Sequence, residues 1–221
     1  MLNRSQAAHR VGNSTDNRMS RDKLDCLNAI QFKDRRVLRA VYALPWEVFS
    51  DGPSPFVDQR MGVLVRMLEA LELRGSEKVL DIGTGAGYRA ALLGSLAAEV
   101  HSVELLPNVA AAARQRLEKL RSRNVAVIDG DGSRGWPAAA PYDAILVGCA
   151  SPYVPEQLID QLRAEGRLVI PIGDANGQLL ERLRRRDRAV DSTTIMACML
   201  KPLAFRATRV SSVPWLRART G

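Results

Sequence analysis

Between residues 78 and 173 the sequence alternates short apolar runs with helical patterns, and this alternation constrains the fold more than any other feature. Runs such as VLDI and AILV are typical of buried strands, while NVAAAARQRLEKL between them has apolar residues at helical spacing. Short connections between elements of alternating type are typical of a parallel sheet covered by helices on both faces. The sequence therefore predicts an α/β fold with a doubly wound, mostly parallel sheet.

Helices are predicted before this alternating region. Ser20 is a candidate N-cap, a short helix is expected after Asp34, and apolar spacing predicts a longer helix from Arg60 to Leu73. Residues 1–18 are polar and lack periodicity, so we expect a flexible extension there. Translation could begin at Met1 or at Met19, and the sequence does not distinguish between the two.

The last part of the chain predicts a different connection between strands. PEQLIDQLRAEG at 155–166 predicts one helix, and RLVIPIG after it predicts a strand. Two further apolar segments flank an arginine-rich turn, which indicates an antiparallel strand pair at the sheet edge. We expect one domain over 19–210, made of a helical attachment with a loop (19–60), a core (61–175) and the strand pair (176–210), followed by a tail (211–221).

Composition excludes several classes of protein. Hydrophobic residues make up 46% and charged residues 25%, which excludes a wholly disordered chain. No apolar run approaches the ~20 residues of a membrane span, and the N-terminus lacks the apolar segment of a secretory signal, so we expect a cytoplasmic protein. The three cysteines, Cys26, Cys149 and Cys198, form no CxxC pair. Neither a disulfide framework nor a metal site is expected.

A glycine-rich loop is the most informative segment for chemistry. In VLDIGTGAGY at 79–88, Gly83, Gly85 and Gly87 follow a strand and open a helix. Glycine lets a backbone approach a ligand closely, and a helix N-terminus offers N–H groups. A dinucleotide-binding GxGxxG needs its third glycine at 88, where Tyr88 stands, and a P-loop needs a lysine that this loop lacks.

Acidic residues follow the same strands. Asp81 precedes the loop, where a carboxylate disfavours pyrophosphate and suits an ammonium group. Glu104 ends the next strand and could accept ribose hydroxyls, and Asp131, followed by Gly132, could accept from an adenine amino group. S-adenosylmethionine carries all three groups and no phosphate, so this pattern predicts an S-adenosylmethionine site. Each acid alone is equally typical of an N-cap, a turn or a solvated strand end.

Several motifs together resemble one known family. They are VLDIGTGAGY, VEL at 103–105, GDGSRGWPAAAPYDAILV at 130–147, ASPYVPEQLIDQL at 150–162 and EGRLVIPIG at 165–173. Across about residues 18–205 the chain resembles the protein-L-isoaspartate O-methyltransferase family. The resemblance implies a methyltransferase fold that binds S-adenosylmethionine and methylates the carboxyl group of L-isoaspartyl residues in damaged proteins. The cofactor-binding residues it implies are Asp81, Gly83, Thr84, Gly85, Gly87, Glu104, Leu105, Asp131 and Gly132.

The sequence departs from this family where the acceptor should bind. The family holds its substrate with a G-x-G-x-T-x-S-x-P segment, and residues 57–61 of this chain stand where T-x-S-x-P belongs. Gln59 occupies the serine position, and its amide can donate hydrogen bonds to a carboxylate. Gln59 is therefore the candidate catalytic residue. Because the acceptor carboxylate is already ionised near pH 7, no general base is required.

Three hypotheses about function follow. The first is isoaspartyl repair with an altered acceptor loop, acting on isoaspartyl-containing proteins or peptides. The second is a diverged methyltransferase for another carboxylate, peptide or small molecule. The third is a non-catalytic S-adenosylmethionine-binding or RNA-associated module, suggested by the arginines between 182 and 188 and the net charge of +8. Aromatic residues are only 5% and none lies among those arginines, so a nucleic-acid partner is not expected. The sequence does not determine the oligomeric state.

Overall fold

A seven-stranded sheet forms the centre of the molecule, with the strand order β3-β2-β1-β4-β5-β6-β7. The computed structural model describes residues 29–49, 60–187 and 189–204. Strands β1 to β5 run parallel, and β6 and β7 are antiparallel to their neighbours. The predicted fold is confirmed. The strands are β1 (Lys78–Ile82), β2 (Glu99–Glu104), β3 (Val125–Asp129), β4 (Tyr142–Val147), β5 (Leu162–Asp174), β6 (Gly177–Arg185) and β7 (Val190–Cys198).

Five α-helices accompany the sheet in the described part of the chain. They are α1 (Arg35–Ala43), α2 (Arg60–Ala70), α3 (Tyr88–Leu96), α4 (Pro107–Lys119) and α5 (Glu156–Asp160). The Asp34 carboxylate caps α1 by accepting from the Arg36 N–H at 2.8 Å, as that residue type predicts. Helix α2 ends before the predicted Leu73 because Glu72 adopts a φ of 50°, which a helix does not allow.

Other predicted segments lie outside the described residues. These are the extension 1–18, the start of the helix expected from Ser20, the loop at 50–59 and the tail 211–221. In the described ranges no helix is long and apolar enough to cross a membrane.

The prediction of one helix over 155–166 is wrong. Helix α5 stops at Asp160, and β5 begins at Leu162, which pairs with Tyr142 of β4. The register between β4 and β5 then shifts, and Glu165 within the shifted stretch has a φ of 62°. The first part of β5 is therefore an irregular strand, since pairing with β4 overrides the local helical pattern.

The central strands are buried on both faces. Val79 and Ala144 face the hydrophobic cluster formed with α1, α2 and α3, while Leu80 and Ile145 face a second cluster on the α5 side. Full burial of a valine, leucine or isoleucine side chain contributes roughly 1.5–3 kcal/mol relative to exposure. β1 pairs with β2 on one side and with β4 on the other. The strands that follow β1 are therefore added first toward one edge of the sheet and then toward the other, and the order switches between β1 and β4. In open α/β sheets, ligands bind beyond the carboxyl ends of the strands at such a point.

Candidate functional site

The glycine loop connects β1 to α3 at this point of the sheet. Gly83, Gly85 and Gly87 have φ values of 86°, 55° and 96°, in the region that glycine adopts at little cost. A Cβ atom on Gly85 would meet no described atom within 4 Å. The loop therefore has a backbone conformation that favours glycine at all three positions, and the space beside Gly85 is open to a ligand.

Asp81 lies beneath this loop with its side chain fully buried. Its carboxylate accepts from Arg89 Nε at 2.5 Å and from Ser102 Oγ at 2.6 Å. A buried carboxylate requires such partners, because an uncompensated charge in the protein interior is strongly destabilising. Asp81 thus belongs to an ion pair with Arg89, a residue that the sequence analysis did not select.

The Thr84 hydroxyl continues the same network. Thr84 is buried, and its Oγ1 lies 2.6 Å from Ser102 Oγ. One chain of hydrogen bonds therefore runs under the loop, from Thr84 through Ser102 and Asp81 to Arg89. Two signals could have found the unpredicted members: Ser102 is a polar residue in an apolar strand, and Arg89 is a cation in the first turn of a helix that follows a glycine loop.

Glu104 holds the loop from the neighbouring strand. Its Oε2 accepts from the Gly85 N–H at 2.9 Å, and its Oε1 accepts from the Leu106 N–H at 3.1 Å. A carboxylate oxygen has two lone pairs, so Glu104 can still accept from a ribose hydroxyl. Leu105 follows, and its side chain is half-buried. Glu104 therefore contacts the same glycine loop beneath which Asp81 lies.

Asp131 and Gly132 form a turn beyond β3. The Asp131 carboxylate accepts from Ser133 N at 3.0 Å and Ser133 Oγ at 2.7 Å, which caps the short 3₁₀ turn Gly132–Arg134. A Cβ atom on Gly132 would lie 2.6 Å from Ile82 Cγ2. The close approach at Gly132 is therefore to the last residue of β1, and it places Asp131 near the same end of the sheet.

Cys149 lies at the same end of the sheet, two residues after the end of β4. Its Sγ would lie 3.1 Å from a Cβ on Gly83. Burial raises the pKa of the Cys149 thiol, although Arg89 opposes that shift. The thiol is therefore neutral near pH 7 and is a poor nucleophile.

Phe49 connects the N-terminal helices to the loop. Its ring lies 3.5 Å from the position of a Cβ on Gly87 and packs edge-on against Tyr88, with 5.5 Å between ring centroids. Gln59, the predicted acceptor residue, lies outside the described residues. Phe49, the last described residue before that gap, contacts the glycine loop.

Comparison with known proteins gives a consistent result. The sequence profile of the family described as protein-L-isoaspartate(D-aspartate) O-methyltransferase matches residues 28–208. Protein-L-isoaspartate O-methyltransferase 1 of Syntrophobacter fumaroxidans is 45% identical over 161 residues, which are 66% of this chain and 75% of that protein.

Solved structures share the fold. A protein-L-isoaspartate O-methyltransferase superposes with a TM-score of 0.71 at 23% identity, over 77% of this chain and 62% of that chain. A Plasmodium falciparum structure in complex with S-adenosyl-L-homocysteine has a TM-score of 0.64 at 16% identity and covers 78% of this chain and 91% of that one.

Proposed function

This chain belongs to the protein-L-isoaspartate(D-aspartate) O-methyltransferase family, and from that membership we propose that it transfers a methyl group from S-adenosylmethionine to the carboxyl group of L-isoaspartyl residues in proteins. The observation that carries the proposal is the glycine loop at the carboxyl end of β1, held by Glu104 and underlain by the Asp81–Arg89 pair. The family match covers residues 28–208, which include this loop and the residues before and after it in the sequence.

The residues present fit the cofactor. The backbone at Gly85 is accessible to it, because a Cβ there would meet no described atom within 4 Å. Glu104 would accept from the ribose, Asp131 from the adenine amino group, and the Asp81–Arg89 pair would face the amino acid end, with Gly83, Thr84, Gly87, Leu105 and Gly132 shaping the loops around it. When bound, S-adenosylmethionine supplies a methyl group activated by its sulfonium.

The protein's own contribution is orientation. An isoaspartyl carboxylate is ionised at neutral pH, so no side chain has to remove a proton. Holding an acceptor in line with a donor lowers the entropic part of the barrier, which is the main task left to the chain. Phe49 packs against Gly87 of the glycine loop and supports the cofactor side of this site.

The RNA-associated alternative loses support from the structure. Arg182 and Arg184 both pair with Glu72, the latter at 2.7 Å. Arg186 pairs with Glu165 and, at 2.8 Å, with Asp191. These ion pairs partly neutralise the arginine-rich segment, which weakens the electrostatic attraction that nucleic-acid binding requires.

The proposal is tested by transfer of labelled methyl from S-adenosylmethionine to an isoaspartyl peptide, beside its aspartyl twin. We expect base-labile label on the isoaspartyl peptide alone. Gln59→Ala should raise the KM for the peptide and leave the KM for S-adenosylmethionine unchanged, because only the acceptor loses a hydrogen-bond donor. If the protein binds S-adenosylhomocysteine and labels neither peptide, the acceptor assignment is wrong.

A further inference from the structure

Arg89 donates hydrogen bonds to other described residues from two of its three guanidinium nitrogens. Nε donates to Asp81, and Nη2 donates to the carbonyl oxygens of Ile82 at 2.9 Å and Gly83 at 2.6 Å. For Nη1, no acceptor is found among the described residues. A guanidinium carries five N–H donors in a rigid fork, so the Nη1 end can bind a further acceptor.

The guanidinium lies between the ends of two strands. A Cβ atom on Gly148, the residue after β4, would lie 1.7 Å from Arg89 Nη1 and 2.2 Å from Cζ. The Ile82 carbonyl oxygen accepts both from the Gly148 N–H and from Arg89 Nη2. Arg89 therefore occupies space that any residue other than glycine at 148 would fill, in the crevice between β1 and β4.

The surroundings hold the charge in place without burying it completely. The Arg89 side chain is 14% exposed, while that of Asp81 is 0% exposed. With Nε and Nη2 held by buried or backbone acceptors, the guanidinium has a defined orientation before any ligand arrives. Arginine remains charged at all relevant pH values and matches the geometry of carboxylates.

We propose that Arg89 is a carboxylate-binding residue of the active site, with Nη1 as the donor. The inference rests on the proposed function, which brings two carboxylates to this crevice: that of the cofactor's methionine portion and that of the isoaspartyl acceptor. The glycine loop favours the first, because the Gly83 carbonyl oxygen of that loop holds Arg89 Nη2 and so places the guanidinium beside the proposed cofactor site.

The test compares ligands that differ only in the carboxylate. Calorimetry measures the Kd of the full chain for S-adenosylhomocysteine and for its decarboxylated analogue, which keeps the ammonium group. We expect the wild type to prefer S-adenosylhomocysteine by about tenfold to a hundredfold, as for a hydrogen bond to a charged group. In Arg89→Gln this preference should fall to within a few-fold, and Arg89→Lys should keep part of it.

A second measurement identifies the source of the carboxylate. If Arg89→Gln keeps the ligand preference and raises the KM for the isoaspartyl peptide about tenfold or more, then Arg89 binds the acceptor, which also supports the proposal. Unchanged ligand preference together with unchanged peptide KM would overturn it. A wild-type chain that binds neither ligand would overturn the proposed function itself, so the two failures are distinguishable.

Arg167→Gln is the matched control. Arg167 is equally exposed, at 14%, and pairs with the buried Glu77, but it lies opposite Ala144 near the start of β4. We expect Arg167→Gln to lower stability and leave the ligand preference unchanged. If Arg89→Gln does not fold because Asp81 loses its partner, the double variant Arg89→Gln/Asp81→Asn removes both charges. Both ligands keep the ammonium group, so their ratio still reports on Arg89.

Discussion

The physical reason for glycine differs from one position of this protein to another. Gly85 has a φ of 55° with open space around it, so the backbone conformation is what requires glycine there. Gly148 is required by space, since the Arg89 guanidinium lies where its side chain would be. Gly62 in α2 has neither constraint, because a Cβ there would meet nothing within 4 Å. One substitution, glycine to alanine, therefore has a different expected outcome at each position.

Gly85→Ala should weaken S-adenosylhomocysteine binding and lower the free energy of unfolding by about 1–2 kcal/mol, the cost of a left-handed conformation for an L-residue. Calorimetry and thermal unfolding measure the two effects. Gly62→Ala is the control and should raise stability by about 1 kcal/mol through helix propensity. Equal effects of both substitutions on binding would contradict the role of the loop conformation.

At the scale of elements, Gly94 allows α3 to pack close to the sheet. A Cβ atom on Gly94 would lie 2.6 Å from Val125 Cγ2 at the start of β3. The Asn124 side chain donates to the carbonyl oxygens of Gly94 and Ala97 at 2.9 and 3.1 Å, which ties the end of α3 to the same strand. The helix that follows the glycine loop is thus positioned at both ends.

Gly94→Ala tests this contact, because local and tertiary effects have opposite signs. Alanine improves helix propensity by about 1 kcal/mol, while overpacking against a stiff β-branched side chain destabilises by about 1–3 kcal/mol. We expect a net loss in chemical denaturation. The second substitution Val125→Ala should recover part of that loss in a double-mutant cycle, and additive effects of the two changes would exclude the contact as the cause.

For the whole molecule, Glu77 connects several parts of the chain before β1. Burial raises the pKa of its carboxyl, but N–H donors of Arg74 and Gly75 and the charge of Arg167 outweigh burial, and the net pKa lies below its ordinary value of 4.5. Arg167 also donates to the Leu71 carbonyl oxygen at 2.8 Å. The turn after α2, through Arg74 and Gly75, and β5, through Arg167, therefore share this carboxylate just before β1.

The pH dependence follows from the direction of that shift. Because the folded pKa is lower than the unfolded one, the stabilisation is fully present above pH 4.5 and is lost as the pH falls through the folded pKa. Glu77→Gln should lower the free energy of unfolding by about 1–3 kcal/mol at pH 7. Its difference from the wild type should shrink below pH 4.5 in denaturant titrations, and a difference independent of pH would show that the charge is not responsible.

Much of the fold was predictable because the relevant patterns are local. Apolar periodicity identified the strands around the loop, and Gly83, Gly85 and Gly87 after a strand predicted a loop that opens a helix. The antiparallel pair β6–β7 was predicted from two apolar segments and a charged turn. The helix expected over 155–166 failed where a distant strand competes, since Leu162 pairs with Tyr142.

The sequence by itself determined the sheet, the loop and the family, because strand period, glycine spacing and motif order are properties of neighbouring residues. Only the tertiary structure decided the partners of the polar groups. Asp81 was predicted to suit the ammonium group of a ligand, and in the fold its carboxylate accepts from Arg89 and Ser102. Which donor reaches a buried carboxylate depends on the atoms that packing brings within about 3 Å, and that distance is not written in the spacing of residues along the chain.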